Sequence, residues 1–130
     1  IIELVKAAKS RNIAVKFYTT LDLDLADNLL EKFGLTDLGV DLINPSEIGY
    51  SFPKADDWLK MLKELDLEDK VIISIVSSQV ACKGALTSGA TCIAVPDRFT
   101  SFQDFSGAIF ILDDLSDQKP EYLLDHTLRD

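Results

Sequence analysis

The sequence predicts an α/β fold, a Rossmann-like three-layer sandwich with a mainly parallel five-stranded sheet, and three observations predict it. First, VIISIV (Val71 to Val76) is a β-branched apolar run of strand length, the pattern of a strand buried on both faces. Second, Ser77 and Ser78 offer hydroxyl caps for a helix running to about Ser88, and Gly89 stands where a left-handed residue would close it. Third, CIAV (Cys92 to Val95) resumes as a second buried strand, which Pro96 stops. Strand, helix and strand without a hairpin turn require a right-handed crossover and parallel pairing. The carboxyl end of the first of these strands, at Ser77 and Ser78, is where an α/β protein places a ligand.

The other elements follow in chain order. Residues 1 to about 11 put Ile1, Leu4, Val5 and Ala8 on one helical face and Glu3, Lys6 and Lys9 opposite. Asn12 ends that helix, and IAVKFY (Ile13 to Tyr18) reads as a strand with Thr19 and Thr20 at its carboxyl end. A helix from about Asp22 to Phe33 is expected to turn Leu25, Leu29, Leu30 and Phe33 inward. Asp22, Asp24 and Asp27 suit its N-terminus electrostatically, and Gly34 stops it. VDLIN (Val40 to Asn44) gives a brief strand, followed by the polar loop NPSEIGYSFPK. Asp56 and Asp57 open a helix whose Trp58, Met61, Leu62 and Leu65 form one stripe, as core residues do. After the central unit, the loop DRFTSFQDFSG leads to the strand AIFIL (Ala108 to Leu112). A short helix starts at Pro120, and His126 to Asp130 read as solvated or frayed.

Bulk properties narrow the function. A chain of 130 residues makes one domain with room for a core. A net charge of −9 argues against nucleic acid and against an anionic membrane surface. No apolar run approaches the roughly 20 residues of a membrane span. Cys82 and Cys92 form no CxxC pair and His126 is the sole histidine, near the end of the chain, which argues against a zinc site of nitrogen and sulfur ligands and against a Ser-His-Asp arrangement. The two cysteines are expected to be buried, inert thiols in an intracellular reducing compartment, either cytoplasm or an organelle stroma or matrix. The chain opens without Met and already in helical pattern, which reads as a processed chain or a piece of a longer one.

Nearly the whole chain resembles the core of the haloacid dehalogenase-like (HAD) hydrolases. IIELVKAAKSRNIAVKFYTT is similar to the segment that leads to the family's second motif, whose Ser/Thr matches Thr19. LADNLLEKFGL resembles the helix after it. GYSFPKADDWLKMLKELDLEDKVIISIVSSQVACKGALTSGATCIAVPD resembles the third and fourth motifs with their connecting helix, and DFSGAIFILDDLSD the closing strand. The resemblance implies a catalytic D-x-D strand, which the chain lacks; DLD at Asp22 to Asp24 opens a helix and reads as a solvated first turn. The third-motif lysine precedes a proline in the family. Phe52 holds that place, Pro53 follows, and Lys54 is displaced by two. The fourth-motif acid, which would hold Mg²⁺, aligns with Ser77, a neutral donor.

The resemblance therefore implies a degenerate HAD-like domain without hydrolase activity, with no cofactor, serving as a structural or interaction subunit. The alternative is the core of a Mg²⁺-dependent phosphatase for a small phosphorylated metabolite, its catalytic Asp upstream. Thr19, Thr20, Ser77, Ser78 and Lys54 are the candidate phosphate-binding residues, since a helix N-terminus holds anions; Ser77 and Ser78 as plain helix caps are the competing reading. Phe99, Phe102 and Phe105 crowd one loop and are a candidate partner surface, with Phe105 expected to cover the end of the sheet. The implied strand order is 40–43, 13–18, an open slot, 71–76, 92–95, 108–112. An upstream segment or a protein partner fills that slot; otherwise 13–18 pairs directly with 71–76.

Overall fold

Strand and helix alternate as these patterns require. The protein, seen in a computed structural model, is described over residues 1–18, 23–43, 55–67 and 70–127. The described elements are α1 (Ile2–Ser10), β1 (Lys16–Tyr18), α2 (Leu23–Lys32), β2 (Asp41–Ile43), α3 (Ala55–Glu64), β3 (Ile73–Val76), α4 (Gln79–Thr87), β4 (Thr91–Ala94), β5 (Phe110–Ile111) and α5 (Pro120–Thr127). Short 3-10 turns at Thr36–Leu38 and Leu115–Asp117 add to these.

All strand pairing is parallel, and it falls into two sheets: β1 with β2, and β3-β4-β5. The first pair is helped by Lys16 and Asp41, which stand directly opposite in register and form an ion pair of 3.1 Å. In the second sheet, Thr91 donates to the Ile72 carbonyl at 2.9 Å and Val95 to the Val76 carbonyl at 2.8 Å. Those two bonds frame a ladder in which Ser74 and Val76 face β4, so Ile73 and Ile75 direct their N–H and C=O groups to the opposite edge. Among the described residues no strand pairs with that edge, and none joins β3 to β1.

The three-stranded sheet is covered on both faces. On one, Val76, Cys92 and Ala94 pack with Ala81, Cys82 and Ala85 of α4 and with Phe105. Small residues on α4 let the helix lie close to the strands. On the other face Ile93 packs with Leu4 of α1, with Leu123 and Leu124 of α5 and with Leu112. Ile93 and Leu123 are each 1% exposed; full burial of such side chains stabilises by about 1.5–3 kcal/mol apiece. The ion pair of Arg11 and Asp125, at 2.8 Å, links the exposed flanks of α1 and α5. Helix α3 packs beside α4, and its Trp58, Met61 and Leu62 are buried as the stripe predicts.

Local stops also follow the sequence. Asn12 takes φ 60°, and Ile13 N–H reaches back to the Ala8 carbonyl at 3.0 Å, closing α1. Gly89 takes φ 89° after α4 and lets Ala90 donate to the Ala85 carbonyl at 3.1 Å.

Three expectations need correction. The strand expected over 71–76 begins at Ile73, and it is not buried on both faces: Val71 is 72% exposed and Ile75 43%. An uncovered edge explains Ile75, because the described residues place no strand beyond it. In α2 and just after it, Leu25, Leu29 and Phe33 are exposed, while Ala26 is buried; the helix meets β2 and the 3-10 turn. The C-terminal helix extends to Thr127, which is 4% exposed and donates its hydroxyl to the Leu123 carbonyl at 2.6 Å, so His126 and Thr127 are ordered helix rather than fray. The five expected strands are all present, and among the described residues the direct pairing of 13–18 with 71–76 is not seen.

Candidate functional site

Parallel strands deliver their carboxyl ends to one side of the molecule, and β3 ends there at Val76. Ser77 follows as an exposed residue. Ser78 takes an extended conformation, φ −135° and ψ 155°, and is the N-cap of α4. Its Oγ accepts from Ala81 N–H at 3.3 Å, and its carbonyl accepts from Cys82 N–H at 2.9 Å. A serine does this because its short side chain reaches the N–H of the third helical residue while its own backbone stays extended.

The neighbouring loop completes the cap. Gln79 N–H donates to Gln103 Oε1 at 2.9 Å, and Asp104 N–H donates to Gln79 Oε1 at 3.3 Å. Two of the four N–H groups that a helix start leaves without intrahelical partners, those of Gln79 and Ala81, are thus bonded to the protein itself. Asp104 is held below the usual carboxylate range, first by the Ser106 hydroxyl, then by the Ser106 N–H, with Lys83 adding attraction. Asp97, beyond the end of β4, commits its Oδ1 to Phe99 N–H at 2.7 Å and Thr100 N–H at 3.0 Å. Phe105 is buried against α4 as expected, whereas Phe99 and Phe102 are 68% and 82% exposed. Arg98 lies over the Phe99 ring, 4.7 Å from its centroid.

The structure places Ser77 and Ser78 together at the carboxyl end of β3. Thr19, Thr20 and Lys54, with Phe52 and Pro53, lie outside the described residues. Gln79 and Gln103 were not anticipated. Their partnership spans 24 residues of sequence, and a glutamine in a polar loop carries no local signal of what it will cap.

A Mg²⁺ ion needs several hard oxygen ligands, usually with carboxylate charge. Ser77 offers one neutral hydroxyl, Ser78 uses its oxygen in the cap, and Asp97 is engaged in its own turn. Among the described residues no three His, Cys, Asp or Glu side chains converge as metal ligands. The described donor set does not fit the ion. Two shallow hollows of about 270 Å³ lie elsewhere, one lined by Leu59, Lys60, Leu62, Lys63 and Ser88, the other by Lys9, Asn12, Ile13 and Ala14. Both are at the amino-terminal ends of the strands.

No family model and no curated protein matches the sequence. Solved structures do match. CbbY from Rhodobacter sphaeroides, in complex with phosphate, superposes with a TM-score of 0.73 at 25% identity, over 88% of this chain and 52% of that one. A point mutant of CbbY in complex with xylulose-(1,5)bisphosphate gives the same figures. A HAD hydrolase of family IA, variant 3, from Entamoeba histolytica superposes with a TM-score of 0.73 at 20% identity, over 98% of this chain and 59% of that one. The chain thus spans about half the length of these structures. With parallel strands, crossover helices and a capped helix at the end of β3, it carries a haloacid dehalogenase-like core domain.

Proposed function

We propose that this chain is a HAD-like module that does not hydrolyse phosphate and acts as a structural or interaction subunit of a larger protein or assembly. One observation carries the reading: Ser77 stands at the carboxyl end of β3 where the family has its metal-binding acid, and the helix start beside it is capped from within by Ser78 and Gln103. A neutral hydroxyl neither neutralises a transferring phosphoryl group nor holds the metal that would do so. The partner in this reading is an extended segment, upstream in the same protein or from another chain, that adds as a strand to the edge of β3. Two free, buried cysteines go with a reducing compartment, cytoplasm or organelle stroma or matrix.

The second reading is the core of a Mg²⁺-dependent phosphatase for a small phosphorylated metabolite, with its catalytic Asp upstream. Its support is the likeness to CbbY, whose structures contain phosphate and xylulose-(1,5)bisphosphate.

Restoring the acid separates the two. The protein is assayed with Mg²⁺ against an aryl phosphate and several sugar phosphates, and Mg²⁺ binding is followed by calorimetry in the native chain and in Ser77→Asp. The expected result is no turnover in either and no Mg²⁺ binding by the native chain. Metal-dependent turnover by the native protein that co-purifies with it through successive columns would overturn the first reading in favour of the second.

A further inference from the structure

We propose that Cys82 and Cys92 are a disulfide-forming pair, a modification site that ties α4 to β4 when the protein meets hydrogen peroxide. The two sulfurs lie 3.5 Å apart, one on the helix and one on the strand beneath it, and each residue is 1% exposed. Their surroundings are small: Ala81, Ala85, Ala90 and Ala94 share the same cluster. A disulfide bond is about 2.05 Å long, so the sulfurs need to close by about 1.5 Å.

The chemistry balances with the peroxide as oxidant. One thiol gives up its proton as its sulfur attacks a peroxide oxygen; the O–O bond breaks, the departing hydroxide takes that proton, and a sulfenic acid and one water form. The second sulfur then attacks the first, the S–S bond forms, and the sulfenic oxygen leaves as a second water. Two thiols lose two electrons and two protons, and one peroxide becomes two waters. Burial, joined by the neighbouring sulfur, pushes the Cys92 thiol up to about 12 and keeps it protonated at rest. The same burial shields a sulfenic acid from thiols of other molecules and leaves the neighbour at 3.5 Å to resolve it.

The test uses the unsubstituted chain, since replacing a core cysteine risks the fold. It is exposed to hydrogen peroxide, then denatured in N-ethylmaleimide and weighed intact. The expected result is paired loss of both alkylation sites in a monomer lighter by two hydrogens, reversed by dithiothreitol. Oxygen addition at one cysteine with the other still alkylated would overturn the proposal. So would a disulfide-linked dimer, or retention of both thiols at a peroxide dose that oxidises the same chain unfolded in urea.

Discussion

Gln79 and Gln103 cap each other's chain segments: the backbone N–H of Gln79 donates to Gln103 Oε1 at 2.9 Å, while Gln79 Oε1 accepts from the next backbone N–H, that of Asp104, at 3.3 Å. The reciprocal pair fastens the loop after β4 to the first turn of α4. Gln103→Ala leaves a part-buried N–H without its acceptor and is expected to lower stability by about 0.5–1.5 kcal/mol. Hydrogen exchange at the Gln79 amide is the direct check; unchanged protection in the variant would show that the pair does not hold the loop.

Gly107, in that loop, is closely approached by a side chain of α4. It takes φ 99°, and a Cβ built on it would stand 2.7 Å from Leu86 Cδ1. Gly107→Ala is therefore expected to combine backbone strain with overpacking against α4, at a cost of about 1–3 kcal/mol. Gly34, at φ 74° with open space around it, is the control. A urea midpoint that falls no further for Gly107→Ala than for Gly34→Ala would show that Leu86 yields freely.

Alkaline pH reports on the buried thiol. Burial raises Cys92 from 9.0 to about 12, above its value in the unfolded chain. Its stabilising contribution is complete below pH 9.0 and is lost as the pH rises toward 12, because the unfolded chain gives up that proton first. The urea midpoint should therefore fall across this window, and fall less steeply in Cys92→Ala. Equal slopes would place the alkaline loss on other groups.

These sites differ in how far the sequence foretold them. The unit β3–α4–β4 was legible because its signals are local: a β-branched run, a serine cap and a glycine stop all act within a few residues of where they stand. The caps at Asn12 and Gly89 were legible for the same reason. Leu25, Leu29 and Phe33 misled because helical spacing tells which residues share a face, and says nothing of whether a sheet lies beneath them. Thr127 was missed because its burial depends on α5 meeting the far side of a sheet that forms elsewhere in the chain. The Gln79–Gln103 clamp and the 3.5 Å approach of Cys82 to Cys92 are products of packing. Of the candidate anion site, the described residues contain only Ser77 and Ser78, and the capping role of Ser78 was the part a short motif specifies.

The edge of β3 gives the last prediction. Ile73 and Ile75 direct four backbone polar groups away from β4, and the described residues provide no strand to pair with them. A buried, unpaired group of this kind costs about 1–3 kcal/mol, so among the described residues water is the partner left to them, and the 43% exposure of Ile75 leaves room for it. If a strand adds here, the amides of Ile73 and Ile75 should exchange fast in the isolated chain, while those of Ser74 and Val76, bonded within the ladder, stay protected. Supplying the upstream segment as a peptide or by co-expression should then protect Ile73 and Ile75, raise solubility and merge the two sheets through the new strand. Equal protection of all four amides in the isolated chain would show that the edge is already closed, by direct pairing of β1 with β3 or by another part of the chain, and would leave no slot for a partner.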